Sequence, residues 1–361
     1  MKKLFLILVI MGCSFGLSAQ DYVTLEQIRD NWQSKSIEVE DASPANILEL
    51  VSAFQQVWPT YSGRELIKFA VSDEEYDNTD KLVDLKNGFV RYSEDDPEAE
   101  SDEMLDACVW NRKNGHKLFA VTLSRMTPSE LVVLCFYDYD LKANTLTPEK
   151  SLATLFTPSF PGYRYRVFLP QTGKNLVINE YFGSITIEHT YGWDGLKPVN
   201  PQITIDRLDN CQAQFNADYF GDERHPFTQY AMMDIDNDGN PELVLQSDNE
   251  EFRAVYSIAL TIDLLAGENG MRFLSFYKNA VGHTGSCGAL CMSGVYVILS
   301  ESSPKSYLMA VSEWDEQEED YAESSYTLDG KEISRKKGRE MESALGEPYE
   351  PKLEWTKLTV D

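Results

Sequence analysis

Basic residues are scarce in this sequence. Its 361 residues hold 32 lysines and arginines against 59 aspartates and glutamates, a formal net charge of −27. So negative a surface repels phosphate backbones, which excludes nucleic acid as a partner and disfavours anionic lipid. Only four histidines exist, His116, His189, His225 and His283, so candidates for a catalytic base are few. No glycine-rich phosphate loop occurs, which argues against a nucleotide-binding α/β fold. Beyond the N-terminus no apolar run is long enough to cross a bilayer. What is present is ordinary globular material: 42% hydrophobic and 25% charged residues, which excludes disorder and fibre. At roughly 150 residues per domain the length predicts about two domains, each able to bury a core.

The first segment reads as an address. Lys2 and Lys3 precede an apolar run from Leu4 to Met11, and small residues lie near Ser18 and Ala19. That is the pattern of a secretory signal, and the run is too short and too early for a spanning helix. Two processing routes compete. Cleavage near Ala19–Gln20 releases a soluble protein, whereas Ile10-Met11-Gly12-Cys13 resembles a bacterial lipobox, whose Cys13 would carry the lipid. Either way the expectation is export to the periplasm or the cell exterior. Losing Lys2 and Lys3 and no acid leaves 30 basic residues against 59 acidic ones, a balance of −29.

Removing the signal leaves five cysteines, Cys108, Cys135, Cys211, Cys287 and Cys291. An oxidising compartment permits bridges, and an odd count leaves at least one thiol unpaired. Cys108 and Cys135 fall in or beside predicted strands and could face each other. Cys287-Gly-Ala-Leu-Cys291 lies in a glycine-rich loop and could close locally. The competing reading of each is a free, buried cysteine acting as a small hydrophobe.

Periodicity predicts short helices at the two ends and strands between. Thr24-Leu-Glu-Gln27 is a capping-box pattern opening a helix to about Trp32. Ser43-Pro44 marks a second helix start, followed by Ile47, Leu50, Val51, Phe54 and Val57 at helical spacing and closed by Pro59. From Lys81 the period becomes two, and Asn87-Gly88 signals a hairpin into Phe89–Tyr92. Glu94 to Asp106 is an acidic run expected to be a solvated loop. Strands are predicted at Lys117–Leu123, Leu131–Tyr139, Tyr163–Leu169, Leu176–Phe182 and Ile185–Tyr191. A break is expected at Leu196–Pro201. More strands follow, with a turn at Asp329-Gly330 and a last helix capped by Ser334 and ended by Gly346. The expected fold class is mainly β (α+β): two antiparallel β-rich domains, meander, barrel-like or propeller-like, with short helices near the termini. The expected organisation is a signal peptide over 1–20, a β-rich domain opening with helices over 21–200, and a second β-rich domain over 201–361.

One stretch carries chemistry: Asp234-Ile-Asp236-Asn-Asp238-Gly239-Asn240-Pro-Glu242. Carboxylates at positions 1, 3, 5 and 9, with glycine at 6, suit a hard dication that takes six to eight oxygens. No histidine or cysteine lies among them, so zinc fits poorly. Position 12 is Leu245, where an EF-hand needs its bidentate glutamate, and the flanks read as strands. The loop resembles the short calcium loops of FG-GAP and VCBS-type β-repeats, and loops in functionally uncharacterised secreted bacterial proteins of Bacteroidetes type. The resemblance implies a structural Ca²⁺ held by Asp234, Asp236, Asp238 and Glu242, with Asn240 through its backbone carbonyl. Glu242 stands where the family usually has aspartate.

No catalytic constellation emerges. His283 with Cys287 could pair as base and nucleophile or join Cys291 in a metal cluster, but a disulfide turn is the simpler reading. Asp138 and Asp140 read as a turn, and Trp110, Trp193 and Trp314 as core rather than a sugar-stacking surface. The expectation is therefore a secreted acidic, calcium-stabilised binding protein with a protein or glycan partner. One alternative is an immunity-type inhibitor of a basic toxin or enzyme; the other is a carbohydrate-active or peptidase-like hydrolase.

Overall fold

The computed structural model describes residues 22–40, 44–72, 81–93, 102–125, 131–219, 226–269, 272–288, 290–299, 305–315, 317 and 320–359, with 287 and 288 as backbone only. The predicted signal over 1–20, its Cys13, and Ser43 lie outside them. The fold is mainly β, 46% strand and 20% helix, in several antiparallel sheets with few short helices. Among the described residues no barrel closes. The chain divides into two compact units. One takes the described residues up to Thr157 with Tyr165–Ile178 and Thr190–Pro201; the other takes Pro158–Arg164, Asn179–His189 and the described residues from Gln202 onward.

In the first unit, helix α1 (Leu25–Asn31) opens as predicted. The Thr24 hydroxyl accepts the Gln27 N–H and the Gln27 side chain accepts the Thr24 N–H. Helix α2 (Ile47–Val57) starts later than Ser43-Pro44 suggests, because Asn46 is the cap and Glu49 returns the bond. Its apolar stripe buries Ile47, Leu50, Val51 and Phe54. Helix α3 (Tyr61–Val71), capped by Thr60, was not legible in the pattern. Gly63 in its first turn lowers helix propensity, yet a Cβ there would fall 2.1 Å from the Gln55 side chain.

These helices cover a seven-stranded antiparallel sheet. Its strands are β1 (Ile37–Glu38), β2 (Lys81–Asp84), β3 (Phe89–Tyr92), β4 (Glu103–Asn111), β5 (Lys117–Arg125), β6 (Leu131–Asp140) and β7 (Thr145–Pro148), in the order β1-β7-β6-β5-β4-β3-β2. The β2–β3 hairpin turns at Gly88 with φ +67, a value glycine takes at no steric cost. Of the acidic run Glu94–Asp106 expected to be a loop, 94–101 lie outside the described residues, and Glu103 to Asp106 belong instead to β4. Glu103 accepts the Ser62 N–H and hydroxyl, and Asp106 holds Arg91 through two bonds of 2.8 and 2.9 Å. Partnered acids can sit in a strand where solvated ones would not.

Of the two readings open for Cys108 and Cys135, a bridge or free buried thiols, the second holds; both are free and buried. Cys108 lies on β4 opposite Ala120, and Cys135 lies on β6 opposite Val121, with β5 between them. Two strand spacings, about 9–10 Å, exceed the span a disulfide closes.

A four-stranded sheet follows: β8 (Arg164–Phe168), β9 (Leu176–Phe182), β10 (Ile185–Trp193) and β11 (Pro198–Ile205), in the order β11-β10-β9-β8. Leu196–Pro201, where a break is expected, leads into β11, and the second compact unit takes the described residues from Gln202 onward. The two prolines of β11 are tolerated because it is an edge, where a missing N–H costs no ladder bond.

The second unit contains helix α4 (Leu208–Tyr219), whose polar sequence hides a buried face of Cys211, Gln212, Phe215 and Asn216. Strands β12 (Gln229–Met233), β13 (Glu242–Gln246), β14 (Arg253–Ser257) and β15 (Asp263–Glu268) form a meander. A second sheet runs through β16 (Arg272–Tyr277), β17 (Ala280–Gly288), β18 (Cys291–Ile298), β19 (Ser306–Asp315), β21 (Ser325–Leu328) and β22 (Lys331–Ile333), with β20 (Asp320–Tyr321) paired to β19. The short β23 (Thr356–Lys357) adds to β12. Every residue of β13 is buried. Leu243 and Leu245 join one apolar cluster and Val244 another, so both faces of this strand are covered.

Helix α5 (Arg335–Leu345) is capped by Ser334 and ends at Gly346. Its Glu342 accepts the hydroxyls of Tyr296 (3.1 Å) and Tyr326 (2.7 Å). Gly338 lies on Tyr326 so closely that a Cβ would fall 2.1 Å from the ring's Cγ. In an exposed helix Gly→Ala stabilises by about 1 kcal/mol. Here the sign reverses: Gly338→Ala is expected to destabilise by about 1–3 kcal/mol through overpacking, measured by urea unfolding. A more stable variant would mean that α5 does not seat on Tyr326.

Candidate metal centre

The acidic loop spans 234–241, between β12 and β13, and its ends are fixed by the pairing of Met233 with Glu242. The loop folds on its own carboxylates. Asp234 accepts the N–H groups of Asp238 (3.1 Å) and Gly239 (3.0 Å), and Asp238 accepts the Asn240 N–H (2.7 Å). Asn237 and Gly239 take left-handed backbone, φ +60 and +89. A Cβ at Gly239 would touch nothing, so conformation rather than space requires the glycine.

Asp234, Asp236 and Asp238 each offer an oxygen within 4.8 Å of the others. Of the four carboxylates expected to converge, these three come together. Glu242 sits apart as the first residue of β13; it is buried and accepts the Ile235 N–H at 3.0 Å. Burial pushes its carboxyl up to about 8, against the Ile235 hydrogen bond and with the help of the three aspartate charges. Burial also raises Asp236, with Asp238 adding like-charge repulsion. The Asn240 side chain is exposed and bonded to Asp238 and Tyr163. The donor set is all carboxylate oxygen and fits a hard cation such as Ca²⁺, not zinc.

Tyr163 belongs to this site and was not legible in the sequence. Its hydroxyl donates to the Gly239 carbonyl (3.1 Å) and the Asn240 side chain (3.2 Å), from 76 residues away in the chain. Its ring stacks on Phe182 at 4.9 Å.

A second polar cluster also escaped notice. Glu180 is 1% exposed and His189 5%. Glu180 accepts the Ser159 N–H and hydroxyl, both at 2.6 Å, and the His189 ring nitrogen at 2.8 Å. Ser159 also meets the Tyr230 hydroxyl at 2.8 Å. A signal existed. Glu180 alternates with Leu176, Ile178 and Phe182, and His189 with Ile185 and Ile187, so both occupy inward positions. The carboxylate accepts from both serine and histidine, which ties the 158–164 segment to β9 and β10.

The remaining sequence candidates disperse. Asp138 binds Arg112 and His116, while Asp140 caps a turn through the N–H groups of Lys142 and Ala143. Trp110 packs on Trp193 at 5.7 Å in the first unit, whereas Trp314 packs on Tyr321 in the second. His283 contacts the Tyr219 hydroxyl at 3.1 Å. It lies in β17 four residues before Cys287, about 13 Å along an extended strand. Cys287 and Cys291 therefore sit in a hairpin rather than a free loop; Cys291 is disulfide-bonded.

No helix among the described residues is long and apolar enough to cross a membrane. Compared with protein-family models, with curated proteins and with solved structures, the chain matches none.

Two outcomes are expected. Glu180→Ala removes the acceptor of the Ser159 N–H and hydroxyl and of the His189 ring nitrogen, and should cost about 1–3 kcal/mol in denaturant unfolding. A loss under half of that would mean that water replaces the carboxylate. Burial, then the Arg272 charge, lowers His283 to about 4. An unfolded histidine titrates near 6.5, so this contribution is complete above that value and lost as pH falls through 4. His283→Gln should flatten stability against pH between those limits; an unchanged slope would refute the burial argument.

Proposed function

We propose that this chain is an exported acidic binding protein whose 234–242 loop holds one structural Ca²⁺. The convergence of three aspartate oxygens within 4.8 Å carries the reading. Three carboxylates so close repel one another, and a dication in their midst removes that repulsion. Asp234, Asp236 and Asp238 would hold the ion, and the Asn240 carbonyl is the further oxygen that the loop's resemblance to FG-GAP and VCBS calcium loops supplies. Glu242 would support the loop from below through the Ile235 N–H. The ion's role is to stiffen the β12–β13 connection, not to react.

The basic-start leader, with its apolar run and small-residue end, supports export, and a disulfide at Cys291 suits an oxidising compartment. The net charge of −27 favours one partner class over others. A basic protein, a toxin or enzyme captured by an immunity-type inhibitor, would be steered to such a surface and lost at high salt.

Calcium at ten times its dissociation constant should stabilise the fold by about 1.4 kcal/mol. That is roughly 3–6 °C in the melting temperature of a unit of this size. The comparison is between chelator and millimolar calcium, with Asp236→Ala as control. The reading fails if melting is the same in both, or if Asp236→Ala responds as the wild type does.

A further inference from the structure

Several arginines of this acidic chain are held by carboxylates: Arg91 by Asp106, Arg112 by Asp138 and Glu149, and Arg253 by Glu350. Arg272 is not. Among the described residues its guanidinium meets no carboxylate; it lies over the Tyr219 ring, 5.0 Å from the centroid, bonds to the Tyr219 hydroxyl and makes a long 3.5 Å bond to the Asp218 carbonyl. It borders a cavity of about 530 Å³ lined also by Tyr219, Asn269, Phe273, Ser286 and Met292. That volume lies within the range of small-molecule pockets, roughly 300–1,000 Å³.

The cavity is built rather than incidental. Tyr219 stacks on Phe215 at 4.8 Å, and its hydroxyl is held by His283. Asn269 accepts the Arg272 N–H and donates to the Tyr219 carbonyl, fixing the two residues relative to each other. Phe273 is 59% exposed and Met292 41%, so two large apolar side chains stand open beside the cation. His283 is neutral near pH 7, which leaves Arg272 as the cationic group of the lining.

We propose that this cavity binds a small organic anion, a carboxylate or sulfonate carried on an aromatic or branched apolar body. Arg272 takes the anionic group through its planar fork of donors. Phe273 and Met292 take the apolar body, by ring packing and by a polarizable thioether. A guanidinium already seated on Tyr219 loses little freedom on binding. The assignment does not depend on the calcium reading.

The test is calorimetric titration of the full chain, in chelator, with 4-phenylbutyrate and with its uncharged isostere 4-phenylbutanamide. The carboxylate is expected to bind at least about tenfold more tightly, the smallest factor a charge-assisted hydrogen bond contributes. Arg272→Gln should abolish that preference, and Phe273→Ser should weaken both ligands. The comparison on the wild type stands even if a variant fails to fold. No binding of the carboxylate at millimolar concentration, equal binding of the two, or a preference that survives in folded Arg272→Gln would each overturn the proposal.

Discussion

In the second unit the strand Glu242–Gln246 has apolar side chains packed on both of its faces, Leu243 and Leu245 on one and Val244 on the other. A strand covered twice cannot slip by one residue without moving its whole apolar set into the wrong layer. Its register against β12 is therefore strongly held, and that register sets the mouth of the acidic loop at Met233 and Glu242. The loop has no core of its own. Its shape follows from fixed ends, two left-handed residues and carboxylates that accept its backbone N–H groups.

The same use of carboxylates recurs across the molecule. Glu103 accepts from Ser62, Glu180 from Ser159 and His189, and Glu342 from two tyrosines. Glu103 and Glu180 are buried, and there the desolvation penalty of the acid is offset by directed hydrogen bonds; Glu342 is half-buried. A chain with a large excess of acid thus spends part of it inside, as acceptors that tie segments distant in sequence.

The Asp loop and the Arg272 cavity present opposite electrostatics within one unit. At the loop, three like charges gather within 4.8 Å of one another. At the cavity, one guanidinium stands with no carboxylate on it among the described residues, beside exposed aromatic and thioether surface. Both are held by shape-determining contacts outside the reacting groups: Tyr163 braces the loop, and Asn269 and Tyr219 brace the arginine.

Local chemistry read from the chain determined much of this protein. Thr24 with Gln27, Asn87-Gly88, Asp329-Gly330 and Ser334 each specify a cap or turn within a few residues, and the period-two runs specify the strands between. The mainly β class and the three converging aspartates follow from such short-range rules. Tertiary structure decided what those rules do not reach. Gly63 and the polar face of Leu208–Tyr219 become helical because packing outweighs propensity. The prolines of β11 sit in a strand because it is an edge. Glu242 left the aspartate cluster for the Ile235 N–H, and Tyr163 reached the loop from 76 residues away. Spacing along a chain records neighbours a few residues apart; which side chains meet across sheets depends on register and layer, and these exist only once the core has formed.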